Sequence, residues 1–266
     1  MLALAGGVGG AKLADGFAQI AGAALTVIVN TADDFEHVGL HVSPDIDTVV
    51  YTLGGIANPV TGWGVVDESW HMMEQMKRLG GPDWFRLGDR DVAMHILRTQ
   101  RLRQGDSLST ITRAMCERLG IKSHVVPMSD DAVRTIVLTA DGELGFQDYF
   151  VRLQCSVSVS GFRFDGIDTA RPGAGFIAAL DDTHDFLAFC PSNPFVSIDP
   201  ILSLTGIRDR LAARKVPAIA VSPIIGGAAV KGPAAKMMKE LGLDVSPLSV
   251  ARHYRGLIDG FVIDTA

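Results

Sequence analysis

The opening of the chain constrains its fold most. Leu2-Ala3-Leu4-Ala5 is a short apolar run, Gly6-Gly7-Val8-Gly9-Gly10 follows it, a helical pattern starts at Ala11-Lys12, and Leu25-Thr26-Val27-Ile28-Val29-Asn30 is a second, β-branched run. Strand, glycine turn, helix and strand at this spacing form a βαβ-type unit, which calls for a parallel sheet. Further short apolar runs recur at 123–126, 185–190, 216–221 and 261–264. Helical patterns at 68–79, 91–102, 108–119, 200–214, 234–241 and 250–258 lie between them. The expected fold is therefore α/β: Rossmann-like, doubly wound, with a mostly parallel sheet.

Two regions depart from the alternation. Residues 31–121 read as several helices with no clear strand, and 134–149 reads as a hairpin turning at Asp141-Gly142. A single domain over 1–266 is expected, carrying an inserted, hairpin-containing subdomain at about 133–180.

Composition narrows the partners. Hydrophobic residues make up 47% of the chain, enough for a sizeable core, and a net charge of −6 provides no basic footprint for nucleic acid or an anionic membrane. Any anionic ligand must be held by local groups or by a metal. Cys116, Cys155 and Cys190 form no CxxC pattern, which argues for a reducing compartment. The first strand starts at Leu2 and no apolar run is long enough to span a bilayer, so the expected location is cytoplasmic.

A glycine turn between a strand and a helix lets the backbone approach an anion, and the helix N-terminus offers unpaired N–H groups. Lys12 adds a mobile charge. Spacing excludes the two common phosphate loops: Lys12 stands where a dinucleotide fingerprint needs its third Gly or Ala, and Leu13 where a Walker A loop needs Ser or Thr. A plain tight turn is the alternative.

Acidic groups follow the second strand, in Asn30-Thr31-Ala32-Asp33-Asp34-Phe35-Glu36-His37 and Ser43-Pro44-Asp45-Ile46-Asp47-Thr48. Carboxylates facing a phosphate cradle call for a hard cation such as Mg²⁺, with Asp45 and Asp47 as ligands. The same segment also reads as a helix start, with Ser43 capping and Pro44 at the first position. Leu87-Gly88-Asp89-Arg90-Asp91 precedes another helix, where Arg90 offers a fork to a phosphate or a ring carbonyl. Pro191-Ser192-Asn193-Pro194 stiffens a loop suited to a base or ribose, and the glycine-rich 222–233 segment with Lys231 could close over the other end of a nucleotide. His37 and His41 are the one histidine pair near metal spacing but lie in a glycine-containing loop, which disfavours zinc. Trp63, Trp70, Met72, Met73, Met76 and Trp84 read as core or interface before they read as a flat-ring pocket.

Taken in order, Gly6-Gly7-Val8-Gly9-Gly10-Ala11-Lys12, Asn30-Thr31-Ala32-Asp33-Asp34, Ser43-Pro44-Asp45-Ile46-Asp47-Thr48, Leu87-Gly88-Asp89-Arg90-Asp91, Pro127-Met128-Ser129-Asp130-Asp131, Gly145-Phe146-Gln147-Asp148-Tyr149, Pro191-Ser192-Asn193-Pro194 and Ala220-Val221-Ser222-Pro223-Ile224-Ile225-Gly226 resemble the 2-phospho-L-lactate transferases of the CofD/FbiA type. The resemblance runs nearly end to end. It implies a step in making the deazaflavin coenzyme F-420. A phospholactate, phosphoenolpyruvate or phosphoglycerate unit passes from a guanosine diphospho-linked donor to the ribityl hydroxyl of the deazaflavin FO, releasing GMP with Mg²⁺ as helper.

By the same resemblance, Asp47 or its neighbour Asp45, with Arg90, bind FO. Gly6 to Gly10 with Lys12, Gly88 and Asp89, and Pro191, Ser192, Asn193 and Pro194 bind the nucleotide, while Val8 stands where many relatives carry Thr. Joined to the residue chemistry, this makes Asp45 and Asp47 the catalytic, metal-holding pair. The apolar Trp/Met segment makes a homodimer the expected assembly. A nucleotide-sugar-binding regulator of the YvcK type is the rival reading; Lys12 weakens a third, a nicotinamide dehydrogenase.

Overall fold

The computed structural model describes residues 1–229 and 232–265. The first half runs β1 (Leu2–Ala5), α1 (Gly7–Ala21), β2 (Thr26–Val29), β3 (Phe35–His37), β4 (Leu40–Val42), α2 (Pro44–Leu53), α3 (His71–Arg78), α4 (Asp89–Arg103), α5 (Leu108–Arg118) and β5 (His124–Pro127). Next come β6 (Arg134–Thr139), β7 (Gly142–Gly145), β8 (Val159–Asp165) and α6 (Ala174–Asp181). The second half holds β9 (Leu187–Phe189), α7 (Asp199–Ser203), α8 (Ile207–Ala212), β10 (Ala218–Val221), β11 (Ile224–Ile225), β12 (Ala228–Ala229), α9 (Ala234–Glu240), α10 (Pro247–His253) and β13 (Gly260–Val262).

Six strands form one sheet in the order β13-β10-β9-β1-β2-β5, and every neighbouring pair is parallel. This is the doubly wound order, with the switch point between β1 and β9. Alternation along each strand builds both faces. Leu2, Leu4, Ile28, Leu187 and Phe189 enter one core with α6 to α10, while Ala3, Ala5, Val27, Val29 and Ala188 enter the other with α1, α2 and α5. Burial on both faces explains why these strands read as continuous apolar runs.

The antiparallel sheet β7-β6-β8 shares the first of these cores, since Val133, Val137, Phe146, Tyr149 and Val159 pack with Leu2 and Leu4. Its hairpin turns one residue earlier than expected: Thr139 pairs with Gly142, leaving Ala140-Asp141 as the loop. No helix among the described residues is long and apolar enough to cross a membrane.

Two expectations are corrected. Residues 31–121 do contain strands, because β3 and β4 pair as an antiparallel hairpin that carries His37 and His41 on strands instead of in a loop. Three-residue strands are too short for period-2 patterning to show. The expected helix at 200–214 is broken into α7 and α8 around Gly206, whose φ is +75°.

The β3–β4 loop is Val38-Gly39, with φ of +47° and +75°. A β-branched residue is disfavoured there, where two-residue hairpins prefer Asn or Gly. Val38→Asn is therefore expected to stabilise the protein by about 1 kcal/mol, read as a higher urea midpoint. A lower midpoint would count against strain in this turn.

Candidate active site

Two loops meet at the switch point. The turn after β1 and the 190–194 loop after β9 leave adjacent strands at their carboxyl ends, the crevice where open α/β sheets take ligands. Ser192 joins them: its Oγ accepts from the Gly6 N–H at 3.0 Å and donates to the Gly6 carbonyl at 2.8 Å. Asn193 accepts from the Phe195 N–H at 3.0 Å, and Pro194–Ile198 then winds as a π-helical turn.

The glycines answer to this contact. A Cβ on Gly9 would run into the Pro191 carbonyl oxygen, one on Gly10 would lie 2.6 Å from Ser192 Oγ, and one on Gly6 would strike Asp45 and lie 2.7 Å from Ser197 Cβ. Gly7 differs, having room for a Cβ but a φ of +60°. Close packing against Pro191, Ser192, Asp45 and Ser197 thus explains three of the four glycines before any ligand is invoked. Gly9→Ala is expected to cost about 1–3 kcal/mol of stability, measured by thermal melts. An unchanged melting temperature would refute the close-approach argument.

Asp45, in the first turn of α2, reaches the start of α1. Its Oδ1 accepts from the Gly7 N–H at 2.8 Å and its Oδ2 from Asn30 Nδ2 at 3.0 Å. Asn30, at the end of β2, also donates to the Val196 carbonyl at 3.1 Å, so α1, β2, α2 and the π-turn are tied at one point. Burial pushes the Asp45 carboxyl up to about 6, against the Asn30 and Gly7 bonds that favour its ionised form. Asp33 is also held well above the usual carboxylate range, by burial and by facing Asp45.

Ser43 occupies the N-cap position, but its hydroxyl does not cap α2; it donates to Asp34 Oδ2 at 2.8 Å, which His41 Nε2 approaches at 3.1 Å. The helix starts where its sequence predicts, while the Ser43 hydroxyl serves Asp34 instead of the helix N-terminus. Lys12 is exposed on α1, and Val8 and Gly9 are half-buried beside it.

Asp47 does not converge with Asp45, because residues two apart on a helix face different ways. The Arg98 guanidinium holds both Asp47 oxygens, Nη2 on Oδ1 and Nη1 on Oδ2 at 3.1 Å, and Arg98 is fully buried. Sequence reasoning missed Arg98. Its signal was faint: Asp91, His95 and Arg98 share one face of an otherwise ordinary amphipathic pattern.

The Leu87-Gly88-Asp89-Arg90-Asp91 segment is held by reciprocal capping. Glu68, also missed, accepts from the Arg90 and Asp91 N–H groups at 2.8 Å each, and a Cβ on Gly88 would strike its carboxylate. Asp89 caps α3 in return, accepting from Ser69 Oγ at 2.6 Å, from His71 N–H at 3.1 Å and from Met72 N–H at 3.0 Å. The Ser69 hydroxyl, with those amides, keeps the Asp89 carboxyl below its ordinary range. The Arg90 side chain is exposed and donates to the Val66 carbonyl at 2.9 Å.

Met73, Leu87 and Val92 form a small core with Trp70 and Met72 against it, while Trp63 is exposed. Trp84 packs on Phe35, His37 and Phe85. Cys190, adjacent to the site loop, has its thiol pushed up to about 12 by burial and is no nucleophile. The 222–233 segment forms the β11–β12 hairpin after β10, and its Val230 and Lys231 lie outside the described residues.

Among the described residues no three His, Cys, Asp or Glu side chains gather as a metal cage. A Mg²⁺ ion that keeps its waters needs only one or two carboxylates plus substrate phosphates. Asp45 fits that need, as do the buried Asp33 Oδ1 and Asp34 Oδ1 oxygens, neither of which has a hydrogen-bond partner among the described residues.

Fold and site together define a doubly wound α/β protein with a cluster of buried polar groups at its switch point. Residues 1–266 match the family described as 2-phospho-L-lactate transferase CofD, and the chain belongs to that family. It is 44% identical over 272 residues to a phosphoenolpyruvate transferase of Streptomyces coelicolor, covering 100% of this chain and 85% of that protein. It is 40% identical over 265 residues to a 2-phospho-L-lactate transferase of Methanosarcina mazei, covering 99% of this chain and 86% of that one. A UPF0052-family protein from Bacillus halodurans shares the fold, with TM-scores of 0.67 and 0.63 at 15% and 14% identity, over 100% of this chain and 80% of the other.

Proposed function

We propose that the protein transfers a phospho-acid unit from a guanosine diphospho-linked donor to the ribityl hydroxyl of FO, releasing GMP, in coenzyme F-420 biosynthesis. Membership of the family along the whole chain carries this reading, and relatives named for phosphoenolpyruvate and phospho-L-lactate transfer support it. A nucleotide-sugar-binding regulator of the YvcK type is not favoured.

In this reading the FO hydroxyl oxygen attacks the distal phosphorus, a new O–P bond forms, and the bond from that phosphorus to GMP breaks. The Val8 and Gly9 amides, early in α1 where no helical carbonyl serves them, receive phosphate oxygens together with Lys12. Gly88 and Asp89 stay on the nucleotide side with the 191–194 loop, Ser192 and Asn193 shaping the pocket for the guanosine. Asp45 is the principal metal ligand. Mg²⁺, when bound, neutralises the diphosphate and stabilises the leaving phosphate. Asp47 and Arg90 orient FO, and a carboxylate accepts the hydroxyl proton late, since phosphoryl transfer asks chiefly for positioning and charge.

The test is purified protein with FO, Mg²⁺ and guanosine donors made from lactate, enolpyruvate and phosphoglycerate, with the product identified by mass. One donor is expected to give a coupled product and GMP. No product from any donor, with no quenching of FO fluorescence, overturns the reading. Sedimentation of the same sample tests the expected homodimer.

A further inference from the structure

The Asp47–Arg98 pair belongs to a wider set of buried polar side chains between α2 and α4. Asp47 and Tyr51 are one turn apart on α2; Asp91, His95 and Arg98 follow one another at one-turn spacing on α4. Besides gripping Asp47, Arg98 Nη1 lies 3.2 Å from His95 Nδ1. An arginine has no lone pair to offer, so Nδ1 accepts and the ring hydrogen sits on Nε2. That nitrogen is 3.2 Å from Asp91 Oδ1, off the alignment of a full hydrogen bond, and Asp91 Oδ1 also accepts the Tyr51 hydroxyl at 2.5 Å.

We propose that Arg98, backed by His95, Asp91 and Tyr51, is the positioning set that aims the Asp47 carboxylate at the acceptor hydroxyl. The assignment rests on the transferase reading above. With both oxygens held by a planar fork, Asp47 can meet a substrate only through its remaining lone pairs, whose directions the fork fixes. The set also ties the helix bearing Asp47 to the helix whose first turn carries Arg90. Stability alone does not call for it: a buried ion pair is often matched by apolar side chains of the same volume, and Arg98 Nε is left without a partner among the described residues.

The experiment compares Arg98→Lys, His95→Gln and Tyr51→Phe with wild type. It measures KM and kcat for FO, the Kd for GDP by calorimetry, and melting temperature. Arg98→Lys keeps the charge and loses the fork, and is expected to lower kcat/KM for FO about 10–100-fold while the Kd for GDP stays within about twofold. Tyr51→Phe and His95→Gln are expected to shift the same FO parameter in the same direction, by about 3–10-fold. They decide the matter if Arg98→Lys does not fold.

FO kinetics unchanged in folded variants, or FO and GDP parameters falling together in step with melting temperature, overturn the positioning role. Wild-type protein that neither quenches FO fluorescence nor forms product overturns the transferase reading itself, and the positioning role with it.

Discussion

Asp45→Asn is expected to lower kcat/KM by about 10²–10³-fold, some 3–4 kcal/mol of transition-state stabilisation. The carboxylate sits where α1 begins, beside the place proposed for the diphosphate, and the amide is a poor ligand for a hard cation. Activity within a few-fold of wild type would remove Asp45 from the mechanism. A second readout is independent of turnover. Burial holds the native carboxyl near 6 against an ordinary 3.8, so between those values the folded protein keeps a proton that the unfolded chain has released. The sign follows: this contribution to stability is fully present below about pH 4 and is lost as pH rises through about 6, a change of about 3 kcal/mol. Denaturant melts of wild type and Asp45→Asn across pH 4–7 should diverge over that window, with wild type losing ground as pH rises.

Asp47→Ala is expected to be the most destabilising single change at the site. It leaves the Arg98 guanidinium, fully buried, without its counter-charge. Breaking such a pair costs about 3–5 kcal/mol, or a fall of roughly 6–20 °C in melting temperature. Asp47→Ala with Arg98→Met should recover much of the loss, because two apolar groups replace an orphaned charge. Recovery of stability without recovery of activity separates the structural part of Asp47 from its proposed part in orienting FO. A single variant that melts with wild type would show that Arg98 finds another partner.

The sheet was legible because its strands are buried on both faces and stand out as apolar runs between amphipathic segments. Elements whose register comes from distant partners were not. β3 and β4 are too short to show a period, β8 owes its pairing to β6, with partners 20 to 31 residues apart in the chain, and the break at Gly206 looks like any helical glycine. At the site, position after a strand pointed to Gly6 to Gly10, Asp45 and the 191–194 loop, and the structure brings these residues together. Their reasons differ from the sequence argument, since Gly9 and Gly10 make room for Pro191 and Ser192. Arg98 and Glu68 escaped notice because a lone charged residue in a helix or loop reads as solvated until its burial or its capping geometry is seen.

The Ser192 bridge to Gly6 joins residues 186 positions apart. At ribosomal rates of about 5–20 residues per second, the β1 turn emerges roughly 10–40 s before the loop that completes its crevice. During that interval the edge of β1 that will receive β9 stays open, and a parallel pairing of such long range forms slowly. Birth of the binding crevice is therefore a late event in the life of the nascent chain, and truncation ahead of residue 187 should yield a fragment with an uncapped, association-prone sheet edge.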